Sequence, residues 1–539
     1  MAAAKVQGRE TKMAATGETG QAEVQERVFA LLADPHTHGM ADMVRRIDTH
    51  CAAVFLAGPA VYKVKRAVQY PFLDFSTLEK RHQACLAELA VNHRNAPDLY
   101  LGVIPITEQD GALRLGGEGS VVEWAVHLRR FDENATLDRL AGEGRLGEGL
   151  IQSLADAVLS AHTRAPIVEN PGHAAHLRAI LTDTVAELRA GIGLLDRDHV
   201  EGFAEAAGIA FDTGAPLLLQ RAAQGFLRRC HGDLHLGNIA LIDAAPVLFD
   251  AIEFDDAIAT CDILYDLAFL LMDLWERGLR AEASFLFCRY LARSEAPLAQ
   301  MEGLSALPFF LALRAAIRAK VLVAQSRLSA AADAKQEDAR RYLAAALGFL
   351  APRPAMLVAV GGFSGSGKTS LARTLAPYLG SAPGAVHLRS DVLRKAMLDV
   401  DETTPLEAVS YRPEVTARLR ALMEARARAA LRAGYCVILD ATHRHERERM
   451  EAEDLAASLG LPFLGLWLDA PPELLRLRIA ARRGDASDAT ADVLAAQLSA
   501  GTGHLRWQRL DAAQSMAHLA RAAQQLAEAA MASGAPPRQ

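Results

Sequence analysis

Apolar residues recur along this chain in two rhythms. From about residue 26 to 110, short runs alternate apolar and polar positions, and VFLAG and VYKVKRAVQY read as two strands joined by a turn at Gly58-Pro59. Lys63 and Lys65 then share one face, because strand side chains repeat every two residues. FSTLEKRHQACLAELAVNHRN follows with a helical period, Ser76 as its cap and Glu79 three residues on. VVEWAVHLRRF at 121–131 reads as another strand, and residues 136–230 are largely helical in period. IALIDAAPVLFDAIEF reads as a hairpin turning at Ala244-Ala245-Pro246, and helices fill 260–350.

Beyond the two prolines of LAPRPA the second rhythm begins. The apolar runs MLVAVGG, GAVHL, YCVILDAT and PFLGLWLDA alternate with helices from Lys368, about 407 and 446. That alternation predicts a parallel sheet with right-handed crossovers. The expected organisation is a flexible tail over 1–25, a first domain over 26–349, a linker at 350–355, a second domain over 356–510, and an Ala-rich helical tail over 511–539 with a frayed end.

Composition narrows the class. Of 539 residues, 51% are hydrophobic and 23% charged, which excludes wholesale disorder and collagen-like or disulfide-rich scaffolds. Cys51, Cys85, Cys230, Cys261, Cys288 and Cys436 form no CxxC pair, which suits a reducing cytosol and excludes a zinc ribbon. The N-terminus has no apolar core of signal-peptide length, and LYDLAFLLMDLW and LPFFLALRAAI fall short of the ~20 residues of a bilayer span. A cytoplasmic protein without a membrane partner is expected. A net charge of −7 counts against nucleic acid as a partner.

The first constellation is His231-Gly232-Asp233-Leu234-His235-Leu236-Gly237-Asn238, with Asp250 twelve residues later beyond a hairpin. Asp233 and Asn238 have the D-x-x-x-x-N spacing of a kinase catalytic loop. Asn238 and Asp250 offer hard oxygen ligands suited to Mg²⁺, and Asp233 is left to orient an attacking hydroxyl. HGDLHLGN, LFDAIEFDD and DILYDLAFL together resemble the aminoglycoside phosphotransferase and choline kinase family, whose fold is α+β, bilobal and protein-kinase-like. The resemblance implies Asp233 as catalytic base, Asn238 and Asp250 as metal ligands, Asp266 as the brace of the loop, and His231 and His235 as holders of its geometry. It also implies a lysine for the α/β-phosphates paired with a helix glutamate. Lys63 is preferred over Lys65 and Glu88 over Glu79, with the adenine hinge near Glu123-Trp124-Ala125-Val126. No G-x-G-x-x-G loop precedes Lys63.

The second constellation is Gly362-Phe363-Ser364-Gly365-Ser366-Gly367-Lys368-Thr369, a complete G-x-x-x-x-G-K-T between an apolar strand and a helix. Its glycines let main-chain N–H groups face phosphate, Ser370 continues the helix start, Lys368 reaches the β/γ-phosphates and the Thr369 hydroxyl ligates Mg²⁺. Asp440 ends an apolar strand where a Walker-B-type carboxylate belongs. Asp391 is either a base or a first-turn cap, Arg394 a candidate substrate clamp, and Arg476, Arg478, Arg482 and Arg483 a lid cluster led by Arg482 and Arg483. This half resembles the P-loop kinase group that includes gluconate kinase, zeta-toxin and polynucleotide-kinase-type enzymes. That resemblance implies an α/β P-loop NTPase fold with a parallel sheet. No arginine-finger and sensor arrangement points to an unfoldase ring.

The whole chain resembles bacterial fusions of these two domain types. It implies a bifunctional ATP- and Mg²⁺-dependent kinase acting on small-molecule hydroxyl acceptors. Two alternatives stand beside it: a regulatory protein with one catalytic half, and a nucleic-acid end kinase. Glu253, Asp255 and Asp256 serve either a polycation pocket or loop capping, and Arg314, Arg318 and Lys320 either line an acceptor pocket for an anionic substrate or form a solvated basic stripe, the stripe being the expectation because charge runs usually face water.

Overall fold

A computed structural model describes residues 21–70, 73–170, 172–327 and 332–534. The chain forms two compact units. One comprises residues up to Leu150 with Ser160–Val168 and Leu227–Asp266, and the other Ile151–Leu159, Glu169–Phe226 and Leu267 onward.

The described part of the first unit begins with a helix. Residues 21–33 form α1, whose Val28, Phe29 and Leu32 are buried with Phe55, Val64, Ile106 and Ala125. The expected tail over 1–25 is corrected for its described part, because a side chain inside it is buried and bonded. Gln25 is 5% exposed, and its Nε2 donates to Lys65 O at 2.8 Å and Glu123 Oε2 at 2.7 Å. A sheet of β1 (Arg45–Asp48), β2 (Ala52–Ala57), β3 (Ala60–Lys65), β6 (Tyr100–Gln109), β7 (Ala112–Leu115) and β8 (Ser120–Arg129) runs in the order β1-β2-β3-β8-β6-β7, antiparallel throughout. Between its strands lie a short hairpin of β4 (Gln69–Tyr70) and β5 (Leu73–Asp74) and the helix α2 (Leu78–His93). Thr77, not Ser76, caps α2 by accepting from Lys80 N, since the Ser76 hydroxyl is committed to Asp74. Helix α3 (Leu137–Gly142), the hairpin β10 (Ile239–Ile242) and β11 (Ala245–Leu248), the pair β9 (Leu227–Arg229) and β12 (Thr260–Asp262), and the short α7 (Asp256–Ala259) complete this unit.

The other unit carries helices that run before the linker: α5 (His173–Ala190), α6 (Arg197–Ala223), α9 (Arg280–Arg293), α10 (Pro297–Glu302), α11 (Leu307–Ser326) and α12 (Ala332–Leu350), with parts of α4 (Glu148–Arg164) and α8 (Ile263–Glu276). Arg314 is 5% exposed, with its guanidinium 4.9 Å above the Phe269 ring, so the expected solvated stripe is corrected: burial against an aromatic face claims its first member.

After Leu350 the second fold begins. Strands β13 (Leu357–Gly362), β14 (Val386–Arg389), β15 (Val437–Asp440), β16 (Phe463–Asp469) and β17 (Gln508–Asp511) form an all-parallel sheet in the order β14-β15-β13-β16-β17. Helices α13 (Lys368–Leu375), α14 (Ser390–Met397), α15 (Pro413–Arg432), α16 (Glu446–Ser458), α17 (Pro472–Ala481), α18 (Ala491–Ala500) and α19 (Met516–Ser533) cross over between or follow the strands. β13 is buried at every position, as a central parallel strand must be.

Two expected boundaries move. The domain does not end at 510, because β17 is the fifth strand and α19 buries Leu519, Ala523 and Ala527 in the same core as Val358 and Leu371. QRLD lacks an apolar run because it lies at the sheet edge, where its side chains are largely exposed. The prolines at 350–355 mark a change of fold rather than of compact unit, since α9 packs on the P-loop fold with Phe287 and Tyr435 ring centroids 5.9 Å apart.

Candidate functional site

The first site grows from β3, α2 and the loop after β11. Tyr62 and Val64 turn into the core, which puts Lys63 and Lys65 on the opposite face. Lys63 Nζ is 2.9 Å from Glu88 Oε1 and 2.7 Å from Asp250 Oδ1. Lys65, 2% exposed, pairs with Glu88 Oε2 at 2.5 Å and with Glu253. Burial pulls the Lys63 ammonium down, but Asp250, Glu88 and Glu253 more than reverse it and hold it well above the usual lysine value. Burial likewise pushes Glu88 up, and the two lysines overcome it. The Lys63 charge holds the Asp250 carboxyl low.

Asp250 has φ 59°, a left-handed conformation that costs energy in a non-glycine residue. Two bonds pin it: Asp250 N donates to the Tyr100 hydroxyl at 3.0 Å and Ala251 N to Asn92 Oδ1 at 2.8 Å. In the loop before β10, Asn238 Nδ2 donates to Asp233 O at 3.0 Å and to Asp233 Oδ2 at 3.1 Å. Asp266, fully buried, accepts from His231 N at 3.2 Å and Gly232 N at 2.9 Å. His231 meets Phe249 O through Nε2 at 2.9 Å, and His235 Nδ1 accepts from Gly237 N.

Three details differ from expectation or decide between alternatives. Glu123 is no hinge residue: it is fully buried within β8, ion-paired to Arg81 at 2.9 Å, and the strand continues to Arg129. Of the acids after Asp250, Glu253 meets Lys65 of β3, Asp255 caps α7 and Asp256 pairs with Arg229 of β9, so all three have partners within the fold. Tyr100 carries no motif of its own and sequence reasoning missed it; Glu253 is one of the acids named after Asp250, but its pairing with Lys65 had no local signal.

The second site is built on β13, β15 and the start of α13. Gly362 (φ 147°) could not carry a Cβ, which would lie 2.6 Å from Ser366 Oγ, and a Cβ on Gly365 (φ 83°) would lie 2.8 Å from Leu475 O. The loop backbone is therefore shaped as only glycine permits. Lys368 Nζ donates to Gly362 O and Phe363 O at 3.0 and 3.1 Å, and burial pulls its ammonium below the usual value. Thr369 Oγ1 donates to Asp440 Oδ2 at 2.7 Å, and His387 Nε2 lies 3.1 Å from the same oxygen. Burial pushes Asp440 up, but His387, Lys368 and Arg389 draw it down to about 2. Burial raises Asp391 above the usual aspartate value, with Arg389 opposing.

A cavity of about 1640 Å³ joins these groups; Ser364, Gly365, Ser366, Gly367, Lys368, Thr369, Ser370, Asp391, Asp440 and Arg482 all line it. That exceeds the ~300–1,000 Å³ of an ordinary ligand pocket. The phosphate loop, the hydroxyl–carboxylate pair Thr369–Asp440, and the buried Ser366 Oγ without a protein partner fit a magnesium-bound triphosphate.

Two arginines depart from expectation. Arg394 lines the cavity, yet its guanidinium is spent on Ser410 O at 2.8 Å, Thr416 Oγ1 at 3.3 Å and the Tyr411 ring at 4.7 Å, and the residue is 8% exposed. It braces α14 against α15 instead of standing free as a clamp. Arg483 turns back onto Ala480 O and Arg482 O at the end of α17, where orphan helix carbonyls attract it, and does not line the cavity. Arg478 takes its place, reaching Ser366 O at 3.5 Å and Ala512 O at 2.9 Å. Missed altogether were His387, Arg389, which meets Asp485 at 2.5 Å, and Gln497, whose Oε1 accepts from Ser364 N at 3.0 Å. The acids of RRGDASDAT were a visible signal for the Asp485 pairing; nothing local pointed to Gln497.

Comparison with known proteins gives matches to each half and to most of the chain. A family described as AAA domain matches residues 357–503. Uncharacterized protein Rv2004c of Mycobacterium tuberculosis is 31% identical over 473 residues, covering 85% of this chain and 91% of that protein. Among solved structures, a choline/ethanolamine kinase family protein from Mesorhizobium loti is 14% identical and covers 61% of this chain and 95% of its own, with a TM-score of 0.39. A sugar kinase from Janibacter sp. is 25% identical and covers 33% of this chain and 98% of its own, with a TM-score of 0.25. No helix among the described residues is long and apolar enough to cross a membrane.

Proposed function

Because the chain belongs to the family of the mycobacterial protein Rv2004c, and joins a protein-kinase-like fold to a P-loop kinase fold, we propose that it is an ATP-dependent phosphotransferase with two nucleotide sites, each acting on a hydroxyl of a small molecule. What supports this reading is that each half brings together, from separate elements, a lysine and oxygen groups of the kind such a site needs: Lys63 lies 2.7 Å from Asp250, and Thr369 lies 2.7 Å from Asp440 in the cavity that Lys368 lines.

In the first site Lys63, held by Glu88, takes the phosphates. Asn238 has its amide nitrogen committed to Asp233, so its oxygen and the Asp250 carboxylate are the cation ligands. Asp233 accepts the hydrogen bond of the attacking hydroxyl and then its proton. In the second site the loop amides and Lys368 hold the triphosphate, Thr369 and Asp440 take the cation, Asp391 orients the acceptor, and Arg478 and Arg482 cover the transferring group. When bound, Mg²⁺ supplies neutralisation of the phosphoryl charge. Catalysis in both sites is positioning plus charge compensation.

The test is ATP turnover in full-length Asp233→Asn, Lys368→Ala and the double variant. Each single substitution is expected to remove one component of turnover, and the double variant all of it. Turnover surviving in the double variant overturns the reading. Loss with Lys368→Ala alone would make the first half a binding module, and steeply salt-dependent binding of DNA or RNA would favour a nucleic-acid end kinase.

A further inference from the structure

Two consecutive residues of α9, a helix that precedes the linker, reach the P-loop site. Arg289 is 8% exposed and forks onto Asp156 of α4, Nε to Oδ1 at 2.9 Å and Nη2 to Oδ2 at 2.8 Å. Its remaining nitrogen, Nη1, lies 3.0 Å from Glu402 Oε1 in the segment after α14. The bonds continue from there. Glu402 O accepts from Lys395 Nζ at 2.8 Å, and Lys395, fully buried, donates to Asp488 Oδ1 at 3.1 Å. Asp488 Oδ2 accepts from Leu406 N at 3.1 Å and from the Tyr411 hydroxyl at 2.7 Å. Asp488 belongs to the α17–α18 connection that starts at Arg482, and both Tyr411 and Asp488 line the cavity.

The neighbouring residue touches the metal end. Cys288 Sγ accepts from His387 N at 3.4 Å and donates to Ala385 O at 3.5 Å. His387 is the side chain against Asp440. None of this is needed to close the P-loop core, whose buried cluster runs from Met356 to Ala527 without a residue of α9. A buried, fully bonded guanidinium with two carboxylates costs desolvation and is weak evidence for stability as such, but it holds its partners in one geometry.

We propose that Arg289 is a positioning residue for the P-loop site: through Glu402 it fixes the wall carrying Tyr411 and the connection carrying Arg482, so the second fold reaches its working geometry only while docked on α9. This rests on the reading of that fold as a phosphotransferase, and it makes the first half a structural part of the second half's active site.

The experiment uses the full chain with Asp233→Asn, which silences the first site. Arg289→Met, Glu402→Ala and Glu402→Gln are compared with that parent for ATP hydrolysis and for amide hydrogen exchange. Arg289→Met and Glu402→Ala are expected to lower turnover at saturating ATP about tenfold or more, with less than a twofold change in KM. Exchange should rise about tenfold in 398–411 and 482–490 while β13 stays protected. Glu402→Gln keeps the acceptor for Arg289 and should match the parent. Unchanged turnover and exchange would overturn the proposal, as would losses shared by Glu402→Gln or accompanied by general exchange through β13. If Lys368→Ala does not alter turnover in this background, the phosphotransferase reading of the second fold fails. The exchange pattern still decides whether Arg289 holds the wall.

Discussion

Lys63 Nζ lies 2.7 Å from Asp250 Oδ1, so the lysine proposed for the phosphates and the carboxylate proposed for the cation meet directly. Lys65, two residues along the same strand, binds Glu88 and Glu253 behind them. The two lysines therefore do different work and should fail differently. Lys63→Met is expected to lower turnover at the first site at least ~100-fold with a small change in stability, because Glu88 keeps Lys65. Lys65→Met leaves Glu253 buried without its cation and Glu88 with Lys63 alone, a loss of roughly 3–5 kcal/mol by analogy with broken buried pairs. Denaturant unfolding and turnover measured on both variants separate the roles.

Gln497 occupies a donor that a phosphate oxygen would also use, the Ser364 N–H. Gln497→Glu keeps the shape and adds a negative charge at the loop. ATP affinity at the P-loop site should fall about tenfold, or ~1.4 kcal/mol, with a smaller effect on ADP. Gln497→Ala should tighten ATP binding. Calorimetry in a Lys63→Met background, which leaves one site to observe, reads both changes.

Asp391 and Asp440 face one cavity with opposite shifts, and opposite pH signatures follow. Burial raises Asp391 above 3.8, so ionising it costs the folded state: the penalty is absent below the unfolded value, grows as pH rises through the folded value and persists above it. Asp391→Asn should therefore raise Tm at pH 7 while abolishing P-loop turnover, and the gap should close below pH 3.8. Asp440, drawn down to about 2, contributes stability above the unfolded value that is lost as pH falls through about 2, so Asp440→Asn should lower Tm at pH 7. Scanning calorimetry between pH 3 and 8 distinguishes the two.

Removing residues 1–25 would take away Gln25, the donor to Glu123 Oε2 and the acceptor of Ala67 N. Leaving those buried groups short of partners costs roughly 1–3 kcal/mol. The truncated chain should melt earlier than the full chain and show faster exchange along β3, and an unchanged Tm would show that the Gln25 contacts are dispensable.

The two motifs were legible because each is local: in HGDLHLGN and GFSGSGKT, residue type, backbone shape and chemistry lie within eight positions. The strands of the parallel sheet were legible where they are buried and apolar, and β17 was not, because an edge strand with exposed side chains has no periodic signature. Arg394 shows a different limit. Its spacing after Asp391 points to a clamp, but Ser410, Thr416 and Tyr411 come from the next helix and its approach, and only the fold brings them to its guanidinium. Likewise Arg289 and Glu402 lie 113 residues apart, and no local pattern joins them.

Helix α19 supplies the last wall of the P-loop core, through Leu519, Ala523 and Ala527. During synthesis, domains generally fold from the N-terminal side as they emerge, yet this core stays open along one wall until Leu519, Ala523 and Ala527 have been made, long after β13 and the phosphate loop at its centre.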